Sequence, residues 1–231
     1  MKLVKRFDRV IEVPLMGAAV SARDREMIRP EMKNRIERVL LTRKLIKRRV
    51  RELARELAEF YREQPRLELL FILEGASTFA YDLAREIYNQ GGPEIRSHSI
   101  KARTYGADLK KDGEISRPVK IIFAPTGLEG KKVLVVEDII DQGFTLHAIK
   151  EWLLHEARAG DVKMCALLDK QLEHPSPAVK RLRAVLKMDY VGFRIPDRWV
   201  AGYGIDAGED FRFLPFIVIV KEQYYLKGDR T

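Results

Sequence analysis

Apolar residues recur along the chain with two different spacings. Between residues 44 and 61 they repeat every three or four positions, which predicts an amphipathic helix with one face against a core. The positions are Ile46, Val50, Leu53, Leu57 and Phe60. Pro65 ends this helix, and the nearly continuous apolar run at 67–73 then predicts a strand buried on both faces.

Predicted strands and helices continue to alternate up to about residue 168. Further strands are predicted at 95–102, 119–124, 132–136 and 162–168, and further helices at 77–89 and 143–158. This alternation favours an α/β fold, with a doubly wound, mostly parallel sheet and helices on both faces. Ligands of such folds bind beyond the carboxyl ends of the strands, so we expect the binding groups there.

Two segments break the alternation. Residues 103–118 form a long polar stretch with two glycines, and we expect a flexible loop there because long irregular segments in compact domains are often lids. After Asp189 the pattern changes to short apolar runs separated by Gly and Pro. This change predicts a small hood lobe, at about 185–215, over the binding edge of the sheet.

Length and charge set the domain organisation. The 231 residues, 46% of them hydrophobic, suit one α/β domain with an appendage, so we expect a basic, partly ordered N-terminal extension at 1–37 and one domain at 38–231. Residues 1–66 contain 19 Lys and Arg against 10 Asp and Glu, whereas the rest of the chain is balanced at 24 against 24. Charge alone supports only non-specific association, so nucleic acid is not favoured as a partner.

Cysteine content and hydropathy indicate the compartment. The single cysteine, Cys165, lies within an apolar run, which excludes a disulfide framework and a CxxC metal site and predicts a reducing environment. No apolar run approaches the roughly 20 residues that a membrane span needs, and the first residues lack the apolar stretch of a signal peptide. The sequence therefore predicts a cytoplasmic protein without membrane association.

The candidate chemistry follows the predicted strand 132–136. Two adjacent acids, Glu137 and Asp138, come first, then Asp141, then a short polar loop with a glycine before the next helix. Carboxylates at a strand end suit diol hydroxyls or a divalent cation, and backbone N–H groups at a helix start suit phosphate, so a phosphorylated sugar fits both. The alternative is an ordinary turn whose acids cap the helix, but three acids in five residues are more than capping needs.

This stretch, Val-Val-Glu-Asp-Ile-Ile-Asp-x-Gly-x-Thr-Leu at 135–146, resembles the phosphoribosyl-diphosphate (PRPP) motif of type I phosphoribosyltransferases. A second stretch at 189–206 also matches, and residues 38–222 resemble the hypoxanthine-guanine branch of that family. The resemblance implies the family's fold with its hood. It also implies transfer of the 5-phosphoribosyl group from PRPP to N9 of hypoxanthine or guanine, giving IMP or GMP and pyrophosphate.

The resemblance assigns roles to the first motif. Glu137 and Asp138 would hold the ribose hydroxyls and, directly or through water, Mg²⁺. Asp141 would act as the general base that takes the N7 proton as N9 attacks C1′. The 5′-phosphate would bind the loop formed by Gln142, Gly143, Phe144 and Thr145.

The second motif and the next strand end would bind the purine. Lys170 would donate to the purine O6 and so favour a 6-oxo group over the 6-amine of adenine. Trp199 would stack on the base, where Phe or Tyr is usual, and Val200 would meet the purine edge through its backbone. A lysine at a strand end is often only solvated, and a tryptophan is more often a core or interface residue, so both assignments depend on the resemblance.

Metal binding and closure are also implied by the resemblance. Asp206 would be a further Mg²⁺ ligand, beside a pyrophosphate whose dense negative charge the metal would offset. Thr104 and Tyr105 match the Ser-Tyr of the family's flexible loop. That loop would close over PRPP and exclude water.

The pyrophosphate loop departs from the family pattern. It commonly has Lys or Arg between Leu and Gly, whereas this chain has Glu74 between Leu73 and Gly75. Backbone amides, often next to a non-proline cis peptide, and Arg212 would bind pyrophosphate here. We expect Glu74 to weaken PRPP binding because it places an anion beside a polyanion. At Gln142, where Thr is usual, a hydroxyl is lost but the amide remains.

Three functions are compatible with the sequence. The favoured one is a purine salvage enzyme that uses PRPP, a 6-oxopurine and Mg²⁺ and forms a homodimer or homotetramer. The first alternative is a nucleotide- or PRPP-binding regulator that binds nucleic acid through its basic N-terminal segment, with weak or no catalysis. The second, a structural protein with a relic motif, is the least favoured because the set of site residues is nearly complete.

Overall fold

A seven-stranded sheet forms the body of the protein in the computed structural model, which describes residues 10–17, 26–104 and 119–226. Its strands are β1 (Ile11–Glu12), β3 (Arg66–Ile72), β4 (Glu94–Thr104), β5 (Val119–Phe123), β6 (Lys132–Ile140), β7 (Asp161–Gln171) and β8 (Tyr190–Pro196). They lie in the order β1-β8-β7-β6-β3-β4-β5, and all neighbours are parallel except β4 and β5. The predicted mostly parallel sheet is confirmed.

Helices cover both faces of this sheet. They are α1 (Arg43–Phe60), α2 (Ser77–Asn89), α3 (Phe144–His155) and α4 (Pro177–Val185). A further helix, α5 (Glu222–Leu226), and a 3-10 helix at Pro30–Met32 instead contribute Tyr224 and Met32 to the smaller apolar cluster around Phe216. Successive strand residues point to opposite faces, so Leu69 packs in the cluster that contains α1 and α2, and Leu70 in the cluster that contains α3. Among the described residues, no helix is both long enough and apolar enough to cross a bilayer.

A second, smaller sheet forms the hood. It contains β2 (Ile36–Leu41), β10 (Ile217–Val220) and β9 (Val200–Ala201), all antiparallel and in that order. Met32 and Ile36 pack there against Phe211 and Phe216. The hood therefore uses residues on both sides of the predicted range 185–215, whereas Tyr190–Pro196 belongs to the main sheet.

The predicted N-terminal extension, 1–37, contributes to both sheets where the structure describes it. Ile11–Glu12 pairs with β8 at one edge of the main sheet, and Ile36 begins the first hood strand. Its charged stretch contains two apolar residues, Met32 and Ile36, whose side chains are both buried. Burial of these two side chains explains why this segment folds onto the domain from residue 30 onwards.

Two further elements differ from the sequence-based expectation. Strand β6 does not end at Val136 but continues to Ile140, because its backbone keeps pairing with β7 as far as Ile140 and Asp169. Helix α4 was not predicted at all. It begins at a Ser176 cap, whose side-chain oxygen accepts from Val179 N, with Pro177 in the first turn.

Candidate functional site

A cavity of about 380 Å³ lies where the carboxyl ends of β3 and β6 meet the hood. It is lined by residues 72–75, Ala102, residues 137–146, Asp206 and Arg212. Parallel strands direct these ends to one edge of the sheet, and the hood adds the last two residues from the opposite side. Eleven of the predicted site residues therefore meet in one cavity.

Glu137 and Asp138 lie on the last part of β6 and are both buried. The Asp138 carboxylate accepts a hydrogen bond of 2.7 Å from Ile139 N. Glu137 Oε2 is buried and has no hydrogen-bond partner among the described residues. Burial, and then the neighbouring Asp138 carboxylate, raise the pKa of Glu137 well above its ordinary range. An acid buried in this way needs a donor or a cation that the described part of the protein does not supply.

Two glycines bring the backbone close to these acids. A side chain at Gly75 would collide with the Asp138 carboxylate, and one at Gly204 with the Gly75 carbonyl oxygen. The peptide bond between Leu73 and Glu74 is cis, as the resemblance of this loop to the pyrophosphate loop of the family implies. The loop after β3 therefore packs directly on the second acid of the motif, where a pyrophosphate could meet its backbone.

Glu74, the unusual anion of this loop, is not isolated. Its carboxylate lies 3.6 Å from Lys101 Nζ on the neighbouring strand β4. The Glu74 side chain is 61% exposed and that of Lys101 is 37% exposed. Solvent and the lysine both reduce the field that Glu74 exerts on the cavity.

The loop from Asp141 to the start of α3 has the form of a phosphate site. Gly143 takes a left-handed conformation, with φ of +91°, at the N-terminus of α3. The first residues of the twelve-residue helix, Phe144 and Thr145, line the cavity, and the N–H groups of a first helical turn have no partner within the helix, so they suit a phosphate. Gln142 Oε1 is buried without a hydrogen-bond partner among the described residues.

The residues predicted to bind the purine lie next to this cavity rather than in its lining. Lys170 is buried on β7, and its Nζ lies 3.4 Å from Asp141 Oδ2 and 6.0 Å from the centre of the Trp199 ring. Trp199 is 44% exposed, whereas Val200 is buried in the hood strand β9. The predicted general base, Asp141, the cation Lys170 and the aromatic residue Trp199 are thus neighbours, although they are far apart in the sequence.

Asp206 and Arg212 form an ion pair on the hood side of the cavity. Arg212 Nη2 lies 2.8 Å from Asp206 Oδ1, and Arg212 Nη1 donates to the Gly204 carbonyl at 2.8 Å. The other Asp206 oxygen accepts from Glu209 N. Both side chains therefore have protein partners, which would have to yield to a metal or a pyrophosphate.

The donor set suits a metal that the substrate also binds. Within the described ranges, no three His, Cys, Asp or Glu side chains lie together as a metal cage. Mg²⁺ is usually held by one or two carboxylates together with waters and substrate phosphates, so such a cage is not required. The unpartnered oxygen of Glu137 and the adjacent Asp138 fit this mode.

Sequence reasoning missed two residues of the site, Lys101 and Arg183. Lys101 carried no signal because a cation at a strand end is commonplace. Arg183 lies on the unpredicted helix α4 and donates to the backbone of Asp141 and Lys170. Of the predicted loop residues, Thr104 is the last residue of β4, and Tyr105 lies outside the described residues, as does the rest of the expected flexible loop up to 118.

Comparison with known proteins identifies the family. A sequence model described as phosphoribosyl transferase domain matches residues 39–207. The chain is 36% identical over 195 residues to the hypoxanthine-guanine phosphoribosyltransferase of Bacillus subtilis, across 84% of this chain and 98% of that protein. It is 34% identical over 199 residues to the hypoxanthine-guanine-xanthine phosphoribosyltransferase of Tritrichomonas foetus, across 86% and 100%.

The fold agrees with this. The crystal structure of a hypoxanthine phosphoribosyltransferase from Staphylococcus aureus matches with a TM-score of 0.69 at 32% identity, across 86% of this chain and 98% of that one. The chain therefore belongs to the phosphoribosyltransferase family. Enzymes of this kind generally need a divalent metal.

Proposed function

We propose that the protein is a purine salvage enzyme that transfers the 5-phosphoribosyl group of PRPP to N9 of hypoxanthine or guanine. The observation that supports this best is the contact of 3.4 Å between Lys170 and Asp141, next to a cavity lined by Glu137 and Asp138. A cationic donor beside a carboxylate matches the O6 and N7 edge of a 6-oxopurine, which offers an acceptor and a proton. The similarity to the Bacillus subtilis enzyme supports the same substrates.

In the proposed reaction, a bond forms between purine N9 and C1′ of PRPP while the bond from C1′ to pyrophosphate breaks. Asp141 takes the N7 proton, and Lys170 donates to O6. Glu137 and Asp138 accept hydrogen bonds from the ribose hydroxyls, which gives the buried Glu137 Oε2 its missing partner. Trp199 stacks on the base, and Val200 meets its edge.

Pyrophosphate and phosphate occupy opposite ends of the cavity in this proposal. The backbone at Glu74 and Gly75 and the Arg212 guanidinium bind pyrophosphate, and the loop at 142–145 binds the 5′-phosphate. We propose Mg²⁺ as the metal, which water and substrate oxygens would hold together with Glu137 and Asp138 on one side of the cavity and Asp206 on the other. The ion would neutralise pyrophosphate oxygens and help the leaving group depart.

The test is nucleotide formation from PRPP and Mg²⁺ with hypoxanthine, guanine, xanthine and adenine in turn. We expect nucleotide and pyrophosphate in equal amounts with hypoxanthine or guanine, and none with adenine. A reaction without PRPP is the control. If PRPP binds in calorimetry but no purine gives a nucleotide, the proposal is wrong and the regulatory alternative is favoured.

A cytoplasmic homodimer or homotetramer completes the proposal. Tyr88 and Phe213 are 75% and 73% exposed, and large exposed aromatic side chains favour contact with another protein surface. The single cysteine, Cys165, is buried and free, which suits a reducing compartment. Light scattering of the purified protein would give the oligomeric order.

A further inference from the structure

We propose that Arg183 is a positioning residue that fixes the distance between Asp141 and Lys170, and this rests on the function proposed above. Arg183 Nη1 donates to the Asp141 carbonyl at 2.6 Å and to the Ile140 carbonyl at 3.3 Å. Its Nη2 donates to the Lys170 carbonyl at 3.3 Å and pairs with Asp169. One planar guanidinium thus holds the backbone of both residues that would face the purine.

The place of these bonds in the sheet explains why they matter. The backbone pairing of β6 with β7 ends at Ile140 and Asp169. Asp141 follows the last residue of β6, and Lys170 is the next residue of β7, so the pairing of these two strands no longer sets their separation. Arg183 bridges the two strands at this point. The rigid fork of its donors fixes a geometry that a flexible ammonium group could not.

The charge of Arg183 is used within the protein rather than on a ligand. Asp169, which is mostly buried, neutralises the guanidinium on one side and also lies 3.7 Å from Arg194 Nε. Arg183 does not line the cavity that contains Glu137 and Asp138. It lines a separate cavity of about 420 Å³. It is therefore placed to act through Asp141 and Lys170, not by touching PRPP.

Helix α4, which carries Arg183, also packs on the phosphate loop. A side chain at Gly143 would lie 3.1 Å from Leu186 Cδ2, 3.4 Å from Leu182 Cδ2 and 3.6 Å from Arg183 Cδ. The apolar part of this contact can be kept while the guanidinium is removed. Arg183→Met does so, and therefore separates the fork from the packing.

The experiment compares Arg183→Met and Arg183→Lys with Lys180→Met, an exposed control on the same helix. We expect Arg183→Met to lower kcat/KM for hypoxanthine roughly 10- to 100-fold, because small misplacements of catalytic groups cost rates of that order. The dissociation constant of PRPP should change by less than about twofold, since Arg183 contacts neither Glu137 nor Asp138. Arg183→Lys should recover only part of the loss, because one ammonium cannot replace the fork. Lys180→Met should match the wild type.

A second readout separates positioning from stability. Methylguanidinium added to Arg183→Ala should restore turnover, because the emptied space admits the missing fork. The same addition should not help Arg183→Met, whose side chain fills that space. A purely structural role would lower the melting temperature and weaken both substrates together, without rescue.

The outcomes distinguish this inference from the function on which it rests. If the wild type makes no nucleotide, the proposed function is wrong and the inference falls with it. If the wild type is active and Arg183→Met keeps its kcat/KM for hypoxanthine, only the inference is overturned. Equal losses for PRPP and hypoxanthine, without rescue of Arg183→Ala, would overturn it as well.

Discussion

Two buried glutamates near opposite ends of the strands of the main sheet have contrasting surroundings. We call these two ends of the sheet its amino edge and its carboxyl edge. Glu68, near the amino end of β3, is 4% exposed, and its Oε2 lies 2.6 Å from His98 Nε2 on β4. Glu137, near the carboxyl end of β6, is 8% exposed, yet its Oε2 has no partner among the described residues. The same residue type, at nearly the same depth, is satisfied at one edge and unsatisfied at the other.

This contrast separates a structural acid from a functional one. A buried polar atom without a partner costs about 1–3 kcal/mol, and more when it is charged, so a folded protein keeps few of them. Glu68 avoids this cost through His98. Glu137 bears it, which is expected if a ligand supplies the partner. The amino edge then serves stability, and the carboxyl edge serves chemistry at the expense of stability.

The largest effect should come from Asp141→Asn. An amide cannot take the N7 proton, so we expect turnover to fall about 10²- to 10⁴-fold. PRPP binding, measured by calorimetry, should be nearly unchanged because Glu137 and Asp138 remain. Unchanged turnover would remove Asp141 from the mechanism.

His98→Ala should do the opposite at the amino edge. It leaves Glu68 buried without its partner, so the free energy of unfolding in urea should fall by about 3 kcal/mol. Turnover of the folded protein should stay at the wild-type value. As a control, leucine at both positions 68 and 98 should recover most of the stability, because an apolar pair leaves no buried charge. A loss of turnover at full stability would contradict the division between the two edges.

Lys170→Ala should change selectivity rather than affinity in general. Loss of a charged hydrogen bond to O6 should weaken hypoxanthine binding by about 1.5–3 kcal/mol and leave adenine binding largely unchanged. Competition binding of the two purines in the presence of PRPP measures the difference. Equal weakening of both would count against contact with O6.

Glu137→Gln should stabilise the protein without ligand or metal. Burial raises the folded-state pKa of Glu137 above its unfolded value, so wild-type stability falls as pH rises from the ordinary Glu range through the raised pKa. Glutamine cannot ionise, so the variant should gain ~0.5–2 kcal/mol at neutral pH, as is typical when a functional strain is removed. Below about pH 4, where glutamate is protonated in both states, the gain should vanish. PRPP affinity should fall, and a less stable variant at neutral pH would show that the carboxylate is satisfied.

Glu74→Lys should have the smallest effect. Two unit charges 4 Å apart near a protein surface interact with about 4 kcal/mol before screening by salt. The exposed Glu74 side chain, however, is already paired with Lys101. We therefore expect the KM for PRPP to fall only about two- to threefold, within the range of exposed ion pairs. Glu74→Gln is the control for loss of charge alone. A tenfold fall would mean that Glu74 faces the pyrophosphate directly.

The periodic parts of the fold could be predicted from sequence alone. Helix α2 runs from Ser77 to Asn89 as expected, and the buried strands lie within a few residues of their predicted ends. The hood could not be predicted in full because its strands are short and pair over long sequence separations, as β2 does with β10. Two apolar side chains in a charged segment, Met32 and Ile36, are too weak a pattern to reveal such pairing.

The candidate site divides in the same way. The acids and the loop of the motif at 135–146 could be predicted because they are contiguous in the sequence. Carboxylates and a glycine at a strand end are typical of a binding site. Arg183 and Lys101 act only through partners distant in the sequence, so their roles emerge from the three-dimensional structure. The contact between Lys170 and Asp141 is of the same kind. Each residue was expected, but their proximity arises just beyond the last pair of β6 with β7, where Arg183 bridges the two chain segments.

The short strand β1 has a consequence for how the protein behaves in crowded solution. Ile11–Glu12 pairs with Phe193 and Arg194 of β8, and Val13 N donates to the Arg194 carbonyl at 2.9 Å, so a few residues cover the middle of the outer side of β8. An uncovered edge is a template for strands of other molecules. A chain shortened beyond residue 13 would present that template. We therefore expect the segment before the hood to protect the protein against aggregation.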